Sequence, residues 1–133
     1  MKSKVNLLLI SLLLLDLALS SICLVSPSLW AKLIHGADFP DTLGLIRRLG
    51  GGWAAFFLIQ GIALWKWPKD PAWLLIVVGI RWSELFADWF YFSYSPQLTW
   101  IGKIGLLASP PVNLLAGLFF LRAYRKAIRS EMH

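Results

Sequence analysis

The chain has 133 residues, of which 58% are hydrophobic and only 15% are charged, and its formal net charge is +6. This composition is typical of a membrane protein, and at about 20 apolar residues per crossing the length supplies roughly four membrane-spanning helices and little else. The positive charge does not indicate nucleic-acid binding, because the basic residues lie at the ends of apolar segments, where membrane topology explains them.

The first apolar segment runs from about Val5 to Val25 and follows two lysines, Lys2 and Lys4. A secretory signal peptide begins in the same way, but its apolar region is shorter than this one, which also contains Asp16. We therefore predict that the segment is a retained membrane anchor rather than a cleaved signal.

The connection from Ser26 to Ile46 is the only long one. Its first part has apolar residues at helical spacing, namely Leu29, Trp30, Leu33 and Ile34. This pattern predicts a short helix that lies along the membrane surface.

The same connection holds His35, Asp38 and Asp41, which could in principle bind a metal ion. Their spacing matches no defined ligand set, so they are interpreted as ordinary residues of a hydrated loop. The single cysteine, Cys23, excludes an internal disulfide. The sequence therefore implies neither a metal site nor a cofactor.

Three more apolar segments follow, at about residues 46–65, 72–92 and 99–124. They lack the alternation of barrel strands, and open sheet edges cannot be satisfied in lipid. We predict an all-α protein of one domain, a bundle of four transmembrane helices. Pro110 and Pro111 interrupt the last segment, so a kink is expected there, with freed carbonyl groups that could line a small polar pocket beside Asn113.

The distribution of basic residues predicts the orientation. Eight lie on one side of the predicted bundle, at Lys2, Lys4, Lys66, Lys69, Arg122, Arg125, Lys126 and Arg129, and four on the other, at Lys32, Arg47, Arg48 and Lys103. The positive-inside rule then places both termini in the cytoplasm, in a membrane that we take to be a bacterial inner membrane.

The third apolar segment carries an unusual polar stripe. Arg81, Glu84 and Asp88 fall on nearly the same face of a helix, and Trp82 lies beside them, deeper than the other tryptophans. Lipid would penalise such a stripe, so it must face other helices, a wet cavity or a partner. It is the first candidate for a functional site.

Depth along the helices suggests ion-pair partners for the stripe. Asp16 and Arg81 both lie close to the predicted midplane, so they can pair if their helices touch. Asp88 lies nearer the outer side, at the level of Arg47 and Arg48, where a second pair is predicted. Asn113 reaches a middle depth.

Glu84 is left without an internal partner in this scheme. The pairs could serve only to lock the helices together. Alternatively, the surplus carboxyl group of Glu84 or Asp16 could hold a proton or a cation and hydrogen-bond the polar end of a ligand.

Pro27 follows the first segment, the run Arg47-Arg48-Leu49-Gly50-Gly51-Gly52-Trp53 opens the second, and the third contains Arg81. In this order the chain resembles small four-helix bacterial membrane proteins of the DoxX-like kind. The resemblance implies a four-helix bundle but little chemistry, and it assigns no role to Trp82, Glu84 or Asp88. The chain is more distantly similar to sterol-isomerase-like four-helix proteins, which place carboxylates and aromatic residues around a lipophilic substrate.

Two classes of function remain. In the first, the protein is a non-catalytic accessory or scaffold subunit, in contact with membrane lipids and with a membrane-protein partner or further copies of itself. In the second, the bundle binds a quinone, a sterol-like compound or a lipid, with Glu84, Arg81, Asp16, Asn113 and Trp82 as candidate ligand-binding residues and Glu84 as a candidate acid or base. The chain supplies no nucleophile dyad and no metal set, so the first class is preferred.

Overall fold

The computed structural model describes residues 2–131, with side chains described for residues 2–129, and this part of the chain contains α-helices and no strand. Five helices follow one another: α1 Lys2–Val25, α2 Pro27–His35, α3 Leu45–Lys66, α4 Ala72–Tyr94 and α5 Trp100–Glu131. The all-α class is confirmed. The long helices begin and end within a few residues of the predicted segments, except that α5 continues past Tyr124 to Glu131.

Two of the helices, α1 and residues 100–129 of α5, are long and apolar enough to cross a membrane. The other two long helices are not among them: α3 contains Arg47, Arg48 and Gln60, and α4 carries the three charges of the polar stripe. Membrane crossing by α3 and α4, and hence the four-helix transmembrane bundle, stays a prediction.

The long helices pack in two antiparallel pairs, α1 with α3 and α4 with α5. In the first pair, the Trp67 indole, just after α3, donates a hydrogen bond of 2.8 Å to the Asn6 side chain of α1. At the other end of this pair, Gly50 of α3 lies directly against Cys23. A β-carbon on Gly50 would approach the Cys23 β-carbon to 2.8 Å, so close packing requires glycine there.

The apolar core lies toward the end of the molecule that carries most of the basic residues. Its members come from all four long helices and include Val5, Leu9, Leu12, Ala63, Trp67, Leu74, Val77, Val78, Ala116, Phe120 and Ala123. The antiparallel order brings the start of α1 and the end of α5 to this same end.

The short helix α2 closes the opposite end. It forms where the apolar spacing predicted a short helix, and it ends at Gly36, whose positive φ of 69° lets its amide reach the Lys32 carbonyl at 3.0 Å. The Thr99 amide, just before α5, donates to the Ile34 carbonyl at 2.8 Å. Because α2 contacts α1, α3 and α5, it joins the two helix pairs.

Helix α5 remains helical through Pro110 and Pro111. Prolines have no amide hydrogen, so the carbonyl groups one turn earlier lose their usual main-chain donors. Pro110 is buried in the interior and Pro111 is exposed. The double proline therefore interrupts hydrogen bonding in α5 without ending the helix.

Asp41 precedes α3 and binds the main-chain amides of its first turn. Its carboxylate accepts hydrogen bonds from the amides of Ile46 at 3.0 Å and Arg47 at 3.1 Å, and it also pairs with the Arg47 guanidinium at 3.3 Å. Desolvation raises the pKa of Asp41, but these amide bonds and the Arg47 charge outweigh it and hold that pKa below its usual value. Asp41 thus stabilises the start of α3 in its ionised form.

We expect Asp41→Asn to lower the melting temperature at neutral pH, because the variant loses the charge that the helix terminus and Arg47 favour. A lowered folded-state pKa gives stability that is present above the unfolded value of about 4 and is lost as the pH falls through the folded value. The difference between wild type and variant should therefore shrink below about pH 4. Thermal unfolding of both proteins at neutral and acidic pH measures it.

Asp38→Asn is the matched control, since Asp38 forms only an exposed ion pair with Lys32 at 3.1 Å. Exposed pairs contribute little, so this variant should melt close to wild type at either pH. Equal losses in the two variants would contradict the role assigned to Asp41.

Candidate functional site: a buried polar cluster

One buried polar side chain from each long helix meets at the middle of the molecule. These four side chains are Asp16 of α1, Gln60 of α3, Arg81 of α4 and Asn113 of α5. We call this group the central polar cluster. Because each helix contributes one member, the cluster couples the two antiparallel helix pairs.

The centre of the cluster is an ion pair between Asp16 and Arg81. Both side chains are almost completely buried, and one carboxylate oxygen of Asp16 accepts the Nη2 hydrogen of Arg81. The structure thus brings together the two residues that depth along the helices placed at the same level. A buried charge pair needs such contact, because either charge alone would carry a large desolvation cost.

Gln60 is the member that reasoning from the sequence missed. Its Nε2 donates to the same carboxylate oxygen of Asp16 and to the Phe56 carbonyl one turn earlier, at 3.0 Å. Gln60 is fully buried. A signal was available in the sequence, since Gln60 is the only polar residue between Trp53 and Trp65.

Asn113 extends the cluster onto α5. Its side-chain oxygen accepts a long hydrogen bond from Arg81 Nη1 at 3.5 Å, and its amide group donates to the Ser109 hydroxyl at 3.0 Å. The structure places Asn113 beside Arg81, and its depth in the membrane stays a prediction. Ser109 precedes the double proline, so the polar contact lies where the main-chain hydrogen bonding of α5 is interrupted.

The cluster is electrically balanced but not fully hydrogen-bonded. The guanidinium of Arg81 lies 5.7 Å from the centre of the Phe56 ring, a distance at which a cation is attracted to the ring face. Among the described side chains, Gln60 Oε1 and Arg81 Nε are buried without a hydrogen-bond partner. With one carboxylate matched to one guanidinium, the arrangement is suited to fixing helices together.

The other two carboxylates of the polar stripe lie outside the central polar cluster. Glu84 is half-buried, and its hydrogen-bonding neighbour is the Trp53 indole of α3. Asp88 is also half-buried and interacts with the Ser109 hydroxyl of α5. Within residues 2–129, neither carboxylate forms an ion pair.

The predicted pair between Asp88 and Arg47 or Arg48 is not formed. Arg47 instead pairs with Asp41, which is only six residues away and already holds the first turn of α3. Arg48 is exposed and has no carboxylate within ion-pair distance among the described side chains. Arg47 pairs with Asp41 because the two residues are close in the chain. A pair with Asp88 would instead require the two helix pairs to approach each other at this level.

Trp82 packs against α5 rather than lining an open site. Its indole lies on Gly117, where no side chain intervenes, and its Nε1 is buried without a hydrogen-bond partner within the described part of the chain. Trp82 is therefore mainly a packing residue between α4 and α5.

The three titratable residues of the long connection lie in separate environments. His35 is held between the Gln97 carbonyl at 2.7 Å and the Tyr91 hydroxyl at 2.6 Å, while Asp38 pairs with Lys32 and Asp41 with Arg47. No group of three histidine, cysteine, aspartate or glutamate side chains within residues 2–129 is placed to hold a metal ion.

Two surface cavities lie at the ends of the molecule. One, of about 370 Å³, is next to His35 and the loop that joins α4 to α5. The other, of about 340 Å³, lies between the start of α1 and the end of α5. Neither is lined by Glu84 or by a member of the central polar cluster.

No family model, curated protein or solved structure matches this chain, so its function must be inferred from its own residues and contacts.

Proposed function

We propose that the chain is a membrane protein whose four long helices all cross the bilayer, and that it serves as a non-catalytic accessory or scaffold subunit by packing α4 against a helix of a partner membrane protein. The observation that carries this proposal is the surface of α4. Arg81 of that helix is buried, whereas small and aromatic residues of the same helix are exposed.

The distribution of polarity supports placing α3 and α4 in the membrane. The central polar cluster is buried, whereas large apolar side chains are exposed on each long helix, among them Leu14 of α1, Leu58 of α3, Ile76 of α4 and Leu115 of α5. A water-soluble protein rarely exposes so many large apolar side chains. Lipid would cover them without cost, and the hidden polar groups lower the cost of inserting α3 and α4.

The outward face of α4 has the pattern of a helix-packing surface. Gly79, Ser83 and Ala87 follow at intervals of four residues and are all exposed, with the exposed rings of Phe86 and Phe90 beside them. A β-carbon added to Gly79 would meet nothing within 4 Å, so this part of the face is open. Small residues spaced in this way let two membrane helices approach closely.

The interior residues support a structural rather than a catalytic role. Asp16, Gln60, Arg81 and Asn113 bind one another, and the cluster adjoins neither of the two end cavities. Such a network rigidifies the helices that present the α4 face.

We expect Gly79→Leu to disrupt association with the partner while leaving the isolated chain folded, because the new side chain projects from an open face and blocks close helix approach. Native mass spectrometry after gentle extraction, with wild type and variant compared, measures the loss. Gly51→Leu is the matched control, since Gly51 of α3 is equally open, and it should leave association unchanged.

Wild-type chain that is released as a lone monomer carrying one stoichiometric lipophilic molecule would overturn the subunit role. That result would favour the second candidate, a lipophile held beside the half-buried carboxyl group of Glu84. A self-associated species sensitive to Gly79→Leu would retain the α4 interface but identify the partner as a second copy.

A further inference from the structure

The cavity at the basic end of the molecule has an unusual lining. Lys4 of α1 and Arg122 and Lys126 of α5 surround it, with Phe119 and Ala123 as its apolar wall. Arg122 and Lys126 lie one turn apart on the same face of α5, and α1 makes few contacts with α5. Three cations from two helices therefore converge on a space of about 340 Å³.

These cations have no anionic partner in the described structure. The ion pairs among residues 2–129 involve Lys32, Arg47 and Arg81, and none includes a residue that lines this cavity. Three positive charges around one cavity repel one another, so an anion bound between them would be stabilising.

The depth of the cavity matches the surface of a bilayer centred on the central polar cluster. Arg122 follows Asn113 by nine residues, which is about 14 Å of helix, and Lys4 precedes Asp16 by twelve residues, or about 18 Å. Half of a hydrocarbon core is about 15 Å. The cavity thus lies at the depth of the phospholipid phosphates. This step rests on the membrane placement proposed above.

The surface next to the cavity is suited to an acyl chain. Leu115, Phe119, Arg122 and Lys126 fall on one stripe of α5. Leu115 is 65% exposed, so the stripe continues from the cations into apolar surface toward the middle of the helix. A free phosphate would use only the cations, whereas a phospholipid would use both parts.

From this geometry we infer that Lys4, Arg122 and Lys126 form a binding site for the phosphate of an anionic phospholipid, whose acyl chain lies along Leu115. Basic pockets between membrane helices bind anionic head groups in this manner. The protein would then carry a bound lipid at the end of the molecule where α1 begins and α5 ends.

The test compares lipid retention by the wild-type chain and two triple variants. Lys4→Gln, Arg122→Gln and Lys126→Gln together remove the cations of the cavity. Native mass spectrometry of protein extracted from vesicles of equal parts phosphatidylglycerol and phosphatidylcholine counts the lipids retained. We expect wild type to retain phosphatidylglycerol in preference to phosphatidylcholine. In the cavity variant this preference should be lower by on the order of 100-fold, because three charges are removed.

The matched control is Lys2→Gln, Arg125→Gln and Arg129→Gln together. These residues carry the same charges at the same end but do not line the cavity, so the preference should persist. Equal losses in both triple variants would show that total charge rather than a site binds the lipid, and would overturn the inference. Stabilisation by inorganic phosphate alone, to the same extent as by phosphatidylglycerol, would also overturn it.

One further measurement separates this inference from the proposed function. Extraction at alkaline pH with carbonate reports membrane insertion, so release of wild type would refute the membrane placement, while loss of lipid preference by an inserted protein concerns only the site. If the cavity triple variant does not fold, as judged by helical circular dichroism, Arg122→Gln alone replaces it. An unchanged lipid preference in that folded variant would count against the site.

Discussion

Replacing Arg81 by leucine is expected to destabilise the protein by about 3 to 5 kcal/mol, because it leaves the carboxylate of Asp16 buried without its cation. Asp16 would keep only the hydrogen bond from Gln60. Removal of the guanidinium also frees the Asn113 oxygen from its contact with Arg81. The effect should therefore be among the largest for any single substitution in this chain.

The double variant, Arg81→Leu with Asp16→Leu, should be more stable than Arg81→Leu alone, because replacing both partners by apolar side chains removes the unpaired charge. Unfolding in mixed detergent, followed by circular dichroism, measures all three proteins under one condition. Arg48→Leu, which removes an exposed arginine, is the control and should have little effect. If the double variant recovers no stability, the ion pair does not account for the loss.

Replacing Gly102 by alanine should cost about 1 to 3 kcal/mol and loosen α2 from α5. A β-carbon at this position would lie 2.5 Å from the Ile34 carbonyl oxygen, and a main-chain atom cannot rotate away as a side chain can. That carbonyl also accepts the hydrogen bond from the Thr99 amide, so the displacement would strain the contact that joins α2 to α5. Thermal unfolding measures the cost, and protease cleavage between residues 36 and 44 reports the loosening.

Gly105→Ala is the matched control for this prediction. Gly105 lies one turn further along α5, and an added β-carbon would meet nothing within 4 Å. Alanine favours a helix interior by about 1 kcal/mol over glycine, so this variant should be as stable as wild type or more so. Similar destabilisation by both variants would show that glycine flexibility, rather than the approach of α2, matters at this end.

Much of the fold could be predicted from the sequence because the helices are long and their ends are marked. The four apolar segments predicted four long helices, and the spacing around Trp30 predicted α2. Asp16 and Arg81 could be matched because depth depends only on residue count and rise per residue.

Other features of the site depended on lateral packing, which residue counts do not provide. Gln60 joined the cluster because α3 packs on α1, and Ser109 became the neighbour of Asp88 because α4 packs on α5. The predicted partner of Asp88 was wrong for the same reason. Residue counts predicted that Arg47 lies at the level of Asp88, but Arg47 pairs with Asp41, six residues away in the chain.

The sequence by itself determined the helical class and most of the helix ends, and it placed Asp16 and Arg81 at one level, because apolar segments and rise per residue act locally along each helix. Only the tertiary structure decided which helix faces meet. Those contacts in turn set the four members of the central polar cluster, the open face of α4 and the approach of Lys4 to Arg122. The physical reason is that a helix has several faces of similar polarity. The rotation of each helix about its axis is set by packing against its neighbours.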